Sequence, residues 1–278
     1  MRALNCAGTL RGSHALTHDY PDLMDRGAAP TLPRGYLWAE IILVLGLSLG
    51  RSGVYAVVNL LADLTSGVPL ADQTTTLNAS QSPRPGLDLT LQLLRIGFAL
   101  VIVGLVAYLL RRSGESLRTL GVDATEPARD TRRGLALAAV VGLTGIVWYL
   151  IAYRAGINLT VAAQGLPELW WRTPVLVLGA MENAVVEEVV VLGFVLHRLR
   201  QIGWGWTGAI WTSALIRGSY HLYQGVGGFV GNVVMGLLFG WLFRRWGRVM
   251  PMIIAHAVID SVAFIGYAVL EGRVSWLP

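Results

Sequence analysis

The chain is 278 residues long, 54% apolar and 14% charged, with a mean hydropathy of +0.55. That charge content is about half the share of an ordinary soluble domain, which disfavours a cytosolic enzyme fold and nucleic-acid binding and marks a membrane composition. The net charge is +5, every one of the 22 basic residues is arginine, as a GC-rich bacterial genome would give, and the lone Cys6 offers neither an internal disulfide nor a cysteine metal cluster.

Residues 1–34 mix Arg2, Arg11, Arg26 and Arg34 with Asp19, Asp22 and Asp25 and lack an apolar core of signal-peptide length, so they read as a cytoplasmic tail. Residues 35–278 read as one integral membrane domain, all-α and polytopic. About seven transmembrane helices are expected, near 35–61, 89–110, 134–153, 173–196, 206–220, 229–243 and 250–270, the fifth and sixth short and glycine-rich. Loops that stay in the cytoplasm should hold the excess of positive charge, and the arginines alternate accordingly. The second loop has Arg111, Arg112, Arg118, Arg129, Arg132 and Arg133, the fourth Arg198 and Arg200, the sixth Arg244, Arg245 and Arg248; the first, third and fifth show only Arg84, Arg154 and Arg172. This places the N-terminus in the cytoplasm, in a multi-pass protein of a bacterial plasma membrane. The first outer loop, 63–88, is rich in Ser, Thr, Asn and Pro and reads as a flexible exposed segment. Tryptophans at span boundaries, Trp170, Trp171, Trp204, Trp206 and Trp246 among them, read as interfacial anchors.

Ionisable residues inside apolar spans cost a few kcal/mol each unless they face protein, water or a partner. The fourth span carries Glu182, Asn183, Glu187 and Glu188; the fifth ends with Arg217 and His221; the seventh carries His256 and Asp260; the first and second carry Arg51 and Arg95. Asn183 and Glu187, Arg217 and His221, and His256 and Asp260 are each four apart, so each pair shares one helix face. Glu187 and Glu188 are neighbours, about 100° apart around a helix. One of them is expected to face a polar cavity while an arginine or backbone donors hold the other. Glu182 has a simpler reading as a packing carboxylate paired with Arg51 or Arg95, and His14, His18 and His197 are given no chemistry.

A Glu with two His and an Asp from three helices is a hydrolytic kit. The carboxylate takes a proton from water, a histidine relays it, and the second His with its partner four residues on serves a developing oxyanion. Two His and a Glu could equally hold a zinc ion with an activated water, and spacing leaves both open. The chain lacks His-Glu-x-x-His.

Glu187-Glu188 followed by Gly193, then Arg217-x-x-Tyr-His221-x-Tyr-x-Gly225, then Pro251-x-x-x-Ala-His256-x-x-x-Asp260 together resemble the CPBP (Abi, CAAX-protease-like) intramembrane endopeptidases, which include the type II prenyl-protein proteases. The resemblance covers residues 180–263. It implies an intramembrane endopeptidase in which Glu187 activates water, His221 assists, and His256 with Asp260 serves the oxyanion. Glu188 stands beside the base, and no cofactor is required. The zinc alternative would use Glu187, His221 and His256. The implied partners are a membrane-associated or lipidated peptide or protein and the lipid bilayer, with no nucleic acid. Three positions depart from the family pattern: Leu192 where an arginine is usual, Arg217 where a Phe is frequent, and Asp260 for the commoner Asn. Arg217 is expected to approach Glu188 and supply the cation that Leu192 does not. Two other classes stand beside this one. They are an inactive homologue acting as a membrane interaction or immunity factor, favoured by Leu192, and a proton-coupled transporter, which would usually show an inverted repeat and paired broken helices.

Overall fold

The computed structural model describes residues 32–273, so nearly all of the expected tail at 1–34 lies outside the described residues. The helices are α1 (Arg34–Leu47), α2 (Leu49–Thr65), α3 (Pro85–Arg112) and α4 (Pro127–Arg154), then α5 (Arg172–Glu187) and α6 (Leu196–Ile202), which are joined by a π-helical stretch, Glu188–Val195. They are followed by α7 (Trp206–Ser219), α8 (Val226–Trp246) and α9 (Met250–Leu270). Two three-residue strands, β1 (Thr74–Thr76) and β2 (Thr160–Ala162), pair in parallel with Thr74 opposite Thr160. The expected all-α architecture is what the chain adopts.

By length and hydropathy α3, α4, α8 and α9 are able to cross a membrane, and α1 with α2 makes a fifth if their 55° bend is taken as one broken span. The expected spans at 173–196 and 206–220 fall short of that measure. The first holds Glu182, Glu187 and Glu188, and the second is a helix of 14 residues. The bend lies at Ser48, whose backbone leaves helical geometry (φ −135°, ψ −123°) while its hydroxyl donates to the Val44 carbonyl at 2.6 Å. Outward faces of the long helices are apolar: Phe98 is 73% exposed and Leu143 68%, as expected of surfaces that meet lipid. Trp171 is buried rather than at an interface, packed with Val175, Leu176 and Phe264.

Two ends of the bundle are fastened differently. At one end, β1 and β2 join the segment after α2 to the segment after α4, Asn158 accepts from the Gly228 N–H at 2.9 Å, and the Trp148 ring N–H donates to the Gly227 carbonyl at 2.8 Å. The segment 63–88, expected to be loose, is tied down here. Gln73 donates to carbonyls of Asp63 and Val68, Asn78 to Ala163, and buried Asp88 accepts from Ser80 and the Gln81 N–H. At the other end, Arg248 binds Asp123 at 2.9 Å and Asp130 at 2.6 Å, clasping the turn between α8 and α9 to the α3–α4 connection. Gly121, in the left-handed region at φ +66°, lies so close to the Arg248 backbone that a side chain there would collide with it.

The core is built around the π-helical stretch, all eight residues of which are buried. Phe239, Phe243, Leu110, Leu120 and Met252 share the core with it. Gly236 and Gly240 let α8 approach α7 closely. A methyl at Gly236 would stand 2.8 Å from the Ala214 Cα, and one at Gly240 2.8 Å from Ile210. This contact delivers Arg217, near the C-terminus of α7, to the centre of the molecule.

Candidate active site

Glu187 ends α5 and Glu188 opens the π-helical stretch, in which bonds of i→i+5 type widen the turn; such insertions in α-helices concentrate at functional sites. The two carboxylates consequently meet different neighbours. Glu188 is fully buried, with Arg217 donating to its Oε1 in direct contact and the His256 ring donating from Nδ1 to the same oxygen at 2.8 Å. An ion this deep is tolerated only when a counter-charge and hydrogen bonds compensate its lost hydration, and Arg217 and His256 supply both. Arg217 is itself 2% exposed and lies over the Phe239 ring at 5.5 Å.

Glu187 is less enclosed, its side chain 12% exposed. The Tyr220 hydroxyl donates to its Oε2 at 2.9 Å, and Arg217 Nη2 is 3.5 Å from the same oxygen. Its other carboxylate oxygen has no hydrogen-bond partner among the described residues. Glu187 lies within electrostatic reach of His221, His256 and Asp260.

His221 follows the end of α7, where its Nδ1 is 3.0 Å from the Arg217 carbonyl oxygen. A carbonyl only accepts, so Nδ1 carries the hydrogen and Nε2 is the nitrogen available for proton exchange. Its ring packs between Tyr220, at 4.8 Å, and Tyr223, at 6.0 Å. On α9, His256 Nε2 faces Asp260 Oδ2 at 3.5 Å, and Asn183 of α5 lies beside Asp260.

The residues expected to act together, Glu187, Glu188, Arg217, His221, His256 and Asp260, therefore surround one centre formed by α5, α7, α9 and the π-helical stretch. Leu192 is buried in that stretch, and the cation beside Glu188 comes from α7. Glu182 stands apart, paired with Arg95 of α3 at 3.3 Å. Sequence reasoning missed Tyr220, because a tyrosine before a histidine at a helix end reads as an interfacial residue. Asn183 was already placed on the face of Glu187 by its spacing.

As a zinc site the donors fit poorly. Both ring nitrogens of His256 face carboxylates, and among the described residues no three His, Cys, Asp or Glu side chains are grouped to hold a metal ion. The chemistry this arrangement offers is a carboxylate with an open oxygen, a histidine with one free nitrogen, and a His–Asp pair beside both.

A second buried polar cluster lies at the opposite end. Arg198, fully buried on α6, binds Glu40 of α1 at 3.0 Å and Glu115 at 2.8 Å, and His197 is 2.6 Å from Glu115. Arg198 had been expected in an exposed cytoplasmic loop. Helix α6 instead turns it inward, and the two carboxylates make its burial tolerable.

Residues 169–262 match a family model described as type II CAAX prenyl endopeptidase Rce1-like, a stretch that includes every member of the central cluster. No curated protein and no solved structure matches the chain.

Proposed function

From the match of residues 169–262 to a type II CAAX prenyl endopeptidase Rce1-like family model, we propose that this chain is an intramembrane endopeptidase that hydrolyses a peptide bond of a membrane-associated or lipidated substrate, with Glu187 activating the water. The observation that carries this reading is the division of labour between adjacent carboxylates. Glu188 is sealed in the core with Arg217 and His256 both donating to its Oε1, while Glu187 is partly exposed and has only its Oε2 engaged by Tyr220 and Arg217.

In this mechanism Glu187 takes a proton from water as the oxygen attacks the scissile carbonyl carbon. The negative charge moves to the carbonyl oxygen, which the His256–Asp260 edge stabilises, Asp260 donating when it is protonated. The C–N bond then breaks, and the proton held by Glu187 passes, directly or through His221 Nε2, to the departing amine. Tyr220 fixes the Glu187 carboxylate by occupying its Oε2. Arg217 keeps the second carboxylate neutralised, so that two adjacent negative charges do not oppose each other. The arginine-rich connections of the sequence support a cytoplasmic N-terminus in a bacterial plasma membrane as part of the same proposal.

The test is cleavage of a panel of lipidated and unmodified membrane peptides by purified protein, with and without chelator, beside Glu187→Gln. Cleavage that survives chelation and disappears in Glu187→Gln is expected. Undiminished cleavage by Glu187→Gln would end the glutamate-base mechanism. Failure to cut any peptide, combined with tight binding of a membrane protein, would favour the inactive-homologue reading.

A further inference from the structure

At the C-terminal end of α3, far from the central cluster, a small open cavity of about 190 Å³ is lined by Ala107, Arg111, Ser116, Leu117 and Arg118. Adjacent arginines part company here. Arg112 is paired with buried Glu40 at 2.6 Å, while Arg111 is exposed on the side of the cavity. The guanidinium groups of Arg111 and Arg118 have no ion-pair or hydrogen-bond partner among the described residues. The neighbouring carboxylate, Glu115, is engaged elsewhere: its Oε1 meets His197 and Gln201, and its Oε2 meets Arg198 and Ser113. Ser116 opens the short turn Leu117–Leu120 with a capping box, its hydroxyl oxygen accepting from the Thr119 N–H while the Thr119 hydroxyl accepts from the Ser116 N–H at 3.2 Å. The hydroxyl hydrogen of Ser116 is left to donate. Two forked guanidinium groups and a hydroxyl proton at one cavity are a donor set that suits phosphate oxygens.

Helix α3 carries this cavity into the surface that meets lipid. Gly97, Gly104 and Arg111 follow at intervals of seven residues, close to two turns, so they lie on one face. A Cβ at either glycine would meet nothing within 4 Å, and exposed Leu100, Val101 and Tyr108 border the same face. The result is a shallow apolar trough, about 21 Å from Gly97 to Arg111 at 1.5 Å per residue. One leaflet contributes about half of a 30 Å hydrocarbon core, so an acyl chain fits within that length.

We propose that Arg111, Arg118 and Ser116 bind the phosphate of an anionic phospholipid whose acyl chain lies along the trough of α3. A free phosphate offers the same headgroup chemistry. The lipid is favoured by continuity, because the cavity terminates an exposed apolar face of a helix able to cross the membrane. This site is independent of the peptidase reading and is tested by binding alone.

The experiment is native mass spectrometry of the full chain in neutral detergent, titrated with phosphatidylglycerol or with phosphatidylcholine of the same acyl chains. The wild type should hold phosphatidylglycerol about tenfold or more tightly. Arg111→Gln and Arg118→Gln should each cut that preference about fivefold, the usual effect of one arginine near an anionic lipid. The double variant should bind the two lipids alike, and Arg111→Lys should keep part of the preference. Arg132→Gln, at an exposed arginine outside the cavity, should leave it unchanged. Excess inorganic phosphate should not displace the lipid, since it lacks the chain. Equal binding of both lipids by the wild type, or a preference that persists in the double variant, would overturn the proposal. So would a loss in Arg132→Gln as large as in Arg111→Gln, which would mean diffuse attraction to the basic end, and so would displacement by inorganic phosphate, which would mean a site for the free ion.

Discussion

Glu187 and Glu188 are adjacent in the chain and differ in their surroundings: Glu188 is fully buried with Arg217 and His256 both donating to its Oε1, whereas Glu187 is partly exposed and takes the Tyr220 hydroxyl on its Oε2. Glu187→Gln should therefore leave the fold intact and lower turnover by roughly 10² to 10⁴, the usual worth of a general base. Steady-state cleavage alongside a thermal melt in detergent would show whether rate and stability separate in this way. Arg217→Met should do the reverse. Stranding Glu188 without its counter-ion should destabilise the protein by about 3–5 kcal/mol, and Glu188→Gln in the same chain should recover part of the loss. Denaturant unfolding of the two single variants and the double variant checks this, and additive losses would mean that the ion pair is not the coupling. These residues were legible in the sequence because carboxylates and histidines inside apolar runs need a reason to be there. Tyr220 was not, because a tyrosine is at home at any membrane boundary and its hydrogen bond to Glu187 is a matter of three-dimensional placement.

At the level of elements, the π-helical stretch and the α7–α8 contact set where those side chains stand. Gly236→Ala adds a methyl 2.8 Å from the Ala214 backbone and 3.4 Å from the Arg217 side chain. Because backbone cannot yield as a flexible side chain does, the helices must separate, at a cost of about 1–3 kcal/mol. Activity should fall along with the melting temperature, since Arg217 moves with α7. A Gly236→Ala protein with wild-type melting and turnover would show that the contact does not position the site. The four-residue spacing of Gly236 and Gly240 marks a helix face able to pack closely, but not that the partner is α7. The π-helical stretch was not legible, since Val189-Val-Val-Leu192 has the same apolar character in an α-helix as in a wider turn. The segment 63–88 misled for a related reason: the polar residues that suggest a loose loop are the ones that hydrogen-bond it to α3 and β2.

For the molecule as a whole, acid sensitivity should come from the end held by Arg198 and Arg248. Burial pushes the Glu115 carboxyl up, but its hydrogen bond and charge attraction to His197, the charge of Arg198 and the Ser113 hydroxyl outweigh this and hold it at about 2 rather than 4.5. Asp123 is likewise held at about 2 rather than 3.8, its partial desolvation overcome by Arg248 and Thr125. A carboxyl depressed in the folded state contributes stability above its ordinary value and loses it as pH falls towards the folded value. The melting temperature should thus be level near neutrality and fall between about pH 4.5 and 2, less steeply in Glu115→Gln, as scanning fluorimetry across that range would show. Arginine counting places Arg198 in the fourth loop, whereas it is buried between Glu40 and Glu115. Periodicity and composition report which segments are apolar, and they are silent about which charges turn inward to meet one another.

The short pairing of Thr74–Thr76 with Thr160–Ala162 fixes a parity that no hydropathy profile contains. Two segments hydrogen-bonded to each other stand on the same side of the bilayer, so the chain between them must leave that side and come back, and α3 and α4 form an obligatory out-and-return pair. The bridge between Asn158 and Gly225 brings the turn carrying His221 to that side as well, whereas the clasp of Arg248 on Asp123 and Asp130 gathers the opposite one. In a chain with Cys6 replaced, single cysteines at Ser80 and Ala155 should react with an impermeant thiol reagent from one side, and one at Ala124 from the other. The turn carrying Tyr220 and His221 thus stands towards whichever compartment those first two positions report.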